Sequence, residues 1–402
     1  MANAMSRRNF VKLSGVAAAG LGGVSILAAC GGGGGAAADS DTIKVGVLGP
    51  FTGDVAQYGT AVRAGAELYI KQVNDKGGIN GKKVESVEQD EKGDATEAVN
   101  AYNKMVEDGC VAIIGDVTST PSAAVAQASV ADNMPLVSAS ATAASFISYG
   151  SNAFRACITD PYQGKLMADF AAKQGYKTVG TIYNSGGDYE KGGNDAFVEE
   201  AKKQAITVTD QEGYAAGDVY FNAQLTKILA SNPDAILCPN YYSDAGKIVT
   251  QARQLGYKGP FLGADGWSNI AGGDQDYASA EDLEGCFYDC SFISTNEDQK
   301  VQQFIKDYKE ANGGTEPTNF CALGYDAAMV VLNAIETVEK DGKARAGTAD
   351  YSQAIIDAIA SGSADGVTGT IKYAGTGDPV KPTLVITFKG GKQEVFDTIE
   401  GA

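Results

Sequence analysis

Ile43-Lys44-Val45-Gly46-Val47-Leu48-Gly49-Pro50 is the stretch from which the fold is read. The run is apolar apart from one lysine, carries β-branched side chains, and stops at a Gly-Pro pair that cannot continue a buried strand. It predicts a strand over residues 43–48. Downstream, Val62, Ala66, Tyr69, Ile70 and Val73 recur at helical spacing and predict a helix over residues 60–74. Lys76-Gly77-Gly78 ends that helix, and Asn80-Gly81 makes a tight turn into a second strand at 84–87.

The alternation continues along the chain. Helices are predicted at 96–107 and 119–133, and strands at 111–114 and 135–138. The rhythm restarts after Asp160-Pro161, with helices at 162–174, 190–204, 221–230 and 244–255. The matching strands are at 179–183, 206–208, 235–238 and 260–262. Strands separated by single helices form βαβ units and parallel sheets. Two consecutive sets of such units predict an α/β protein of two doubly wound parallel-sheet lobes. The tail breaks the pattern with helices at 298–311, 322–340 and 351–361, then short strands around 370–373 and 384–388. A tail of this kind can complete both lobes by crossing between them.

The residues before the first strand indicate a compartment. Ser6-Arg7-Arg8-Asn9-Phe10-Val11-Lys12 precedes an uninterrupted small and apolar run over 13–29. A basic flank followed by a short apolar segment is an export signal, and the paired arginines resemble the twin-arginine type, with the Sec route as the alternative. The run ends in Leu27-Ala28-Ala29-Cys30, which resembles a bacterial lipobox whose cysteine is acylated. Gly31 to Gly35 and the alanines that follow cannot hold a helix or strand. They read as a flexible tether, so the body is expected to be anchored to the membrane without spanning it.

Composition narrows the function classes. With 402 residues, 44% hydrophobic and 20% charged, the chain has a globular balance and room for two cores. Its formal net charge of −18 argues against nucleic acid as a partner. There is no histidine, which removes Ser-His-Asp and Cys-His nucleophilic sites and His metal ligands together. The seven cysteines form no CxxC pair or metal-spaced cluster, so no metal site is expected. No GxGxxG follows the first strand and no GxxxxGK[ST] occurs, so no nucleotide cofactor is expected either. Cys286 and Cys290 lie on a predicted strand over 285–292. Four strand residues span about 13 Å, too far for a disulfide. Cys157 and Cys290 lie near proposed crossovers and could meet.

Ligands of open parallel sheets bind beyond the carboxyl ends of the strands. Four loops occupy such places: Gly49-Pro50-Phe51-Thr52-Gly53-Asp54, leading to Tyr58; Gly115-Asp116-Val117-Thr118-Ser119; Ser138-Ala139-Ser140-Ala141-Thr142; and Gly263-Ala264-Asp265-Gly266-Trp267. A free amino acid suits them. Its carboxylate wants hydrogen-bond donors at a helix N-terminus, where Ser119 can serve as N-cap and Thr142 adds a hydroxyl and its backbone N–H. Its ammonium wants an anion, for which Asp265 is the best acidic candidate. Tyr58, Tyr189, Tyr241, Trp267 and Tyr325 supply aromatic walls. The bland alternatives stand beside these readings: Ser119 as a helix cap only, Thr142 as a loop hydroxyl, Asp265-Gly266 as a turn, and the tyrosines as packing residues.

The opening strand, with Phe51-Thr52-Gly53 and Ala56-Gln57-Tyr58-Gly59, resembles the leucine/isoleucine/valine-binding proteins of ABC transporters. So do Asn74-Asp75-Lys76-Gly77-Gly78-Ile79-Asn80-Gly81, Ile113-Ile114-Gly115, Ser140-Ala141-Thr142, Asp188-Tyr189, Gln251-Ala252-Arg253 and Gly263-Ala264-Asp265-Gly266, in the family's order. The resemblance implies a type I periplasmic-binding-protein fold, two lobes joined by a three-segment hinge that close on a branched-chain or similar aliphatic amino acid. It implies a monomeric, non-enzymatic lipoprotein on the outer face of the cytoplasmic membrane that delivers its ligand to an ABC transporter permease. It also implies roles. Ser119 and Thr142 would hold the carboxylate, the backbone of Ser140 would meet the amino group, and Asp265 would form its ion pair. Tyr58, Val117, Thr118, Ala141, Tyr189, Tyr241 and Tyr325 would line the pocket. The expected organisation is a signal peptide at 1–29 and a lipid-anchored linker at 30–41. An N-terminal lobe would take 42–159 plus about 293–365, and a C-terminal lobe 160–292 plus about 366–402. Asp265 stands where some relatives have Glu, Trp267 adds bulk beside it, and Thr118 replaces a cysteine of some relatives. The same fold binding an amide, urea or aromatic acid, a ligand-sensing module, and an NAD-type enzyme are the competing readings.

Overall fold

The computed structural model describes residues 41–271 and 276–399. The export signal, Cys30 and the glycine tether lie outside the described residues.

Five strands build the first sheet: β1 (Thr42–Gly49), β2 (Lys83–Asp90), β3 (Ile113–Ile114), β4 (Leu136–Ser138) and β5 (Ala153–Arg155). They are all parallel and lie in the order β2-β1-β3-β4-β5. The helices α1 (Ala56–Asp75), α2 (Ala95–Glu107) and α3 (Ser119–Ser129) connect its first four strands. Val45, Val47 and Leu48 of β1 are all fully buried, as expected for a strand covered on both faces. The predicted helix over 119–133 is shorter than expected. It passes into a 3-10 turn over Val130–Asp132 and ends at Asn133 in the left-handed region. β5 was not foreseen, because three residues are too short to show a period.

The second sheet follows α4 (Asp160–Gln174). Its parallel strands are β6 (Thr178–Asn184), β7 (Thr207–Tyr214), β8 (Ala235–Leu237), β9 (Phe261–Leu262) and β10 (Phe287–Cys290). Between them run α5 (Asp188–Lys203), α6 (Asn222–Ala230), α7 (Tyr242–Gln254) and the short α8 (Ala280–Leu283). After α9 (Gln299–Ala311), α10 (Asn319–Asp341) and α11 (Ala349–Ser361) comes a hairpin of β11 (Ser363–Gly366) and β12 (Gly369–Lys372). The chain ends with β13 (Thr383–Lys389) and β14 (Lys392–Ile399), both antiparallel, giving the sheet order β14-β13-β10-β9-β8-β6-β7.

The chain therefore passes between the lobes three times, after β5, after β10 and after β12. The second passage returns α10 to the first lobe, where it crosses α1 closely enough to exclude side chains. A Cβ on Gly65 would lie 1.9 Å from the Cys321 carbonyl oxygen, and one on Gly324 would lie 2.2 Å from that of Val62. Hydrogen bonds knit the first and third passages together. Arg155 pairs with Asp378 at 2.7 Å, Tyr373 donates to the Arg155 carbonyl at 3.0 Å, and Lys381 donates to that of Ala156 at 2.7 Å. Cys110, Cys157, Cys238, Cys286, Cys290 and Cys321 are all buried free thiols. Cys157 and Cys290 thus do not pair. Cys290 instead directs its Sγ to the Phe292 carbonyl at 3.3 Å.

Candidate functional site

Loops at the carboxyl ends of the two sheets come together, Tyr58 and Ser119 of the first lobe meeting Gly266 and Tyr241 of the second across a cleft. On the first lobe, α3 begins there. Thr118, in an extended conformation, occupies the cap position and makes no side-chain cap bond. Ser119 is already helical, which corrects the expectation that it caps the helix. Its hydroxyl accepts the Ala143 amide at 3.2 Å and lies 3.4 Å from the Thr142 hydroxyl. The uncapped N-terminus and two adjacent hydroxyls form a group of donors suited to an anion. The loop carrying Thr142 is held in place by hydrogen bonds. Ser138 donates its hydroxyl to the Asp116 carbonyl at 2.5 Å and accepts the Ala141 amide at 2.8 Å. Ser140 donates to the Val117 carbonyl at 2.9 Å, and Arg155 donates to the carbonyls of Ala141 and Ala143 at 2.5 and 3.0 Å.

On the second lobe, Asp265 opens a 3-10 turn after β9 and is 4% exposed. Its Oδ1 accepts the Tyr189 hydroxyl at 3.0 Å, and its amide donates to Gln163 Oε1 at 3.0 Å. Tyr189 in turn accepts the Gly266 amide at 2.9 Å. Burial pushes the Asp265 carboxyl up to about 6, against opposing pulls from Tyr189, Gln163 and nearby amides. Two further buried carboxyls, Asp160 and Asp289, have no hydrogen-bond partner on either oxygen. Burial raises both well above the ordinary range, and the charge on Asp265 raises them further.

Aromatic rings bridge the halves. Tyr189 and Tyr241 stack with centroids 4.8 Å apart and planes 3° from parallel. The Ser119 amide points at the Tyr241 hydroxyl at 3.5 Å. Tyr58 donates across the cleft to the Gly266 carbonyl at 2.5 Å and accepts the Tyr242 amide at 3.0 Å. The two lobes thus meet in a cluster where Tyr58 and Ser119 of the first touch Gly266, Tyr242 and Tyr241 of the second, with Thr142 beside Ser119 and with Tyr189 and Asp265 beside Gly266. Val117, Thr118, Ser140 and Ala141 belong to the two first-lobe loops behind it.

Two expected site residues do not join it. Trp267 is fully buried and donates its indole N–H to the Cys238 carbonyl at 2.9 Å, its ring packed against Gly263 and Phe261. Residues of a 3-10 turn are about 120° apart, so Asp265 and Trp267 point different ways. Tyr325 donates to Gln72 Oε1 at 2.7 Å and packs on Tyr69 and Phe304. The ring that α10 does bring to Tyr58 is Phe320, at 4.2 Å between centroids. Five residues turn an α-helix by about 140° beyond a full circle, which separates the faces of Phe320 and Tyr325. Gln163 and Asp160 also escaped the sequence reading. Their signal was the Asp160-Pro161 helix start, read as a boundary only.

The family model described as periplasmic binding protein matches residues 42–392. Leu/Ile/Val-binding protein homolog 3 of Brucella melitensis is 29% identical over 370 residues, 91% of this chain and 95% of its own length. Leu/Ile/Val-binding protein BraC3 of Rhizobium johnstonii is 30% identical over 340 residues, 84% of this chain and 88% of its own. Among solved structures, the branched-chain amino acid transporter substrate binding protein LivJ from Streptococcus pneumoniae, in complex with isoleucine, superposes with a TM-score of 0.81. It is 32% identical and aligns over 89% of this chain and 99% of its own.

Proposed function

The chain belongs to the periplasmic binding protein family, and on that premise we propose that it is an extracytoplasmic receptor for a free branched-chain or similar aliphatic amino acid. The observation that carries this reading is the polarity of the cleft. Donors of Ser119 and Thr142 lie on one lobe and the carboxyl of Asp265 on the other, with tyrosine rings between them. An α-amino acid has charges in the matching order. Ser119 and Thr142 take the carboxylate, the Ser140 backbone and Asp265 take the ammonium, and Tyr58, Val117, Thr118, Ala141, Tyr189 and Tyr241 surround the side chain. Bound isoleucine in the Streptococcus pneumoniae structure and the names of the relatives support the branched-chain class.

In this reading the first lobe comprises 42–159 and about 293–365, and the second 160–292 and about 366–402. The protein acts as a monomer that binds without catalysis and passes its ligand to an ABC transporter permease. Residues 1–29 direct export, by the twin-arginine route, and Cys30 carries the lipid that holds the body at the outer face of the cytoplasmic membrane, with residues 30–41 as the tether. A thermal-shift screen against the twenty amino acids and simple amides tests the ligand class, because a ligand stabilises by RT ln(1 + [L]/Kd). Leucine, isoleucine or valine should raise Tm and amides should not. A shift with urea or acetamide alone would reject the reading.

A further inference from the structure

More carboxyls are buried around Asp265 than one anchor needs. Asp160 is the first residue of α4 and is 1% exposed. Its amide donates to the Thr142 carbonyl at 3.0 Å, which fixes it beside the hydroxyls of the first lobe. One helical turn later Gln163 accepts the Asp265 amide, so the same face of α4 touches the loop of Thr142 and that of Asp265. Gly192 closes the third side. A Cβ there would lie 2.8 Å from Asp160 Oδ2, and Gly192 sits one turn after Tyr189, the donor to Asp265.

Among the described residues no cation forms an ion pair with this carboxyl. Neither oxygen has a hydrogen-bond partner, although the Thr142 hydroxyl is near enough to draw the pKa down. Arg155, whose charge draws this carboxyl's pKa down, spends its guanidinium on the carbonyls of Ala141 and Ala143 and on Asp378. Lys381 is committed to Ala156 and Thr368. Among the described residues no three carboxylate or thiolate groups are placed to hold a metal ion. A buried carboxylate left this way is costly unless a cation arrives.

We propose that Asp160 is a second anchor for the ligand's ammonium group, opposite Asp265, so that the site selects primary α-amines over α-hydroxy and α-keto acids of the same shape. This rests on the amino-acid reading above and specifies how the head group is chosen. Asp265, Asp160 and the Ser140 backbone can each offer one acceptor to a tetrahedral ammonium, which has three protons to place. A hydroxy acid offers one proton and no charge, and leaves both carboxyls uncompensated.

Calorimetric titration at pH 7.5 of wild type, Asp160→Asn and Asp160→Glu against L-leucine and 2-hydroxy-4-methylpentanoate tests this. Asp160→Asn should bind leucine about 10- to 100-fold more weakly, the loss of one charged partner. Its affinity for the hydroxy acid should stay level or rise. Asp160→Glu, which keeps the charge, should retain more of the preference for the amine. Without ligand, Asp160→Asn should melt no lower than wild type, since an unpartnered buried carboxyl has been removed. Leucine affinity within twofold of wild type in Asp160→Asn, or equal loss for both ligands, would overturn the second anchor while leaving the amino-acid reading intact. A wild type that binds neither ligand, or both equally, would overturn the two together.

Discussion

Tyr189 donates its hydroxyl to Asp265 Oδ1 at 3.0 Å and accepts the Gly266 amide at 2.9 Å, so one phenol fixes both the carboxyl and the turn that carries it. In the proposed reading, Asp265 would therefore meet the ligand's ammonium already oriented. Removing one partner of a buried charge pair costs about 3–5 kcal/mol, which is about two to three orders of magnitude in Kd. Asp265→Ala should lose that much affinity for the best amino acid. Ser119→Ala removes a single donor to a charged group, about 1.5–3 kcal/mol, and should lose less. Tyr241→Ala should reorder the preference among side chains more than it weakens recognition of the head group. Calorimetry on the three variants gives the ranking, and wild-type affinity in Asp265→Ala would remove the ammonium assignment.

Acid should separate stability from affinity. Burial holds the Asp265 carboxyl at about 6, above an unfolded value of about 3.9. A raised folded pKa means the folded state takes up the proton first. The cost of the buried charge is fully present above pH 6 and disappears as pH falls towards 4. Asp160 and Asp289, also raised by burial, act in the same direction. Affinity moves the other way, since an ammonium pairs with the ionised form. Below pH 6, Kd should rise by up to about tenfold per unit from this group. Titrations between pH 4.5 and 7.5 should show that slope in wild type and a flatter one in Asp265→Asn. Equal slopes would reject the assignment.

The α1–α10 crossing should tolerate nothing larger than glycine. A Cβ at Gly65 would come within 1.9 Å of a backbone oxygen, which no rotamer change can relieve. Gly65→Ala must push the helices apart and should lower unfolding stability by about 1–3 kcal/mol. Gly77→Ala serves as a comparison in a different setting. Gly77 meets no atom within 4 Å but has a φ of +102°, so its effect comes from backbone strain alone. Denaturant midpoints measure both, and an unshifted midpoint in Gly65→Ala would contradict the packing.

Membrane attachment should depend on one atom, the Cys30 thiol. Cys30→Ser should move the body from the membrane fraction to the soluble one. Replacing Arg7 and Arg8 by lysine should block export if the twin-arginine route is used, whereas unaffected export would assign the Sec route. Cell fractionation with immunoblotting distinguishes these outcomes.

The sequence by itself determined the alternation of strand and helix, because period and turn chemistry are local: Val45, Val47 and Leu48 announce β1, and Gly77-Gly78 ends its partner helix. The loops that hold the cleft were legible for the same reason, since they follow strands. Only the tertiary structure decided which side chains face the cleft. Trp267 and Tyr325 are one short turn or one helix face away from residues that do, and a linear sequence does not display rotation about an axis. Asp160 looked like the first residue after a boundary until α4 was seen to lean on both the Thr142 loop and the Asp265 turn. Its lack of a partner is a property of everything packed around it, contributed by segments more than a hundred residues apart, and no local pattern records that.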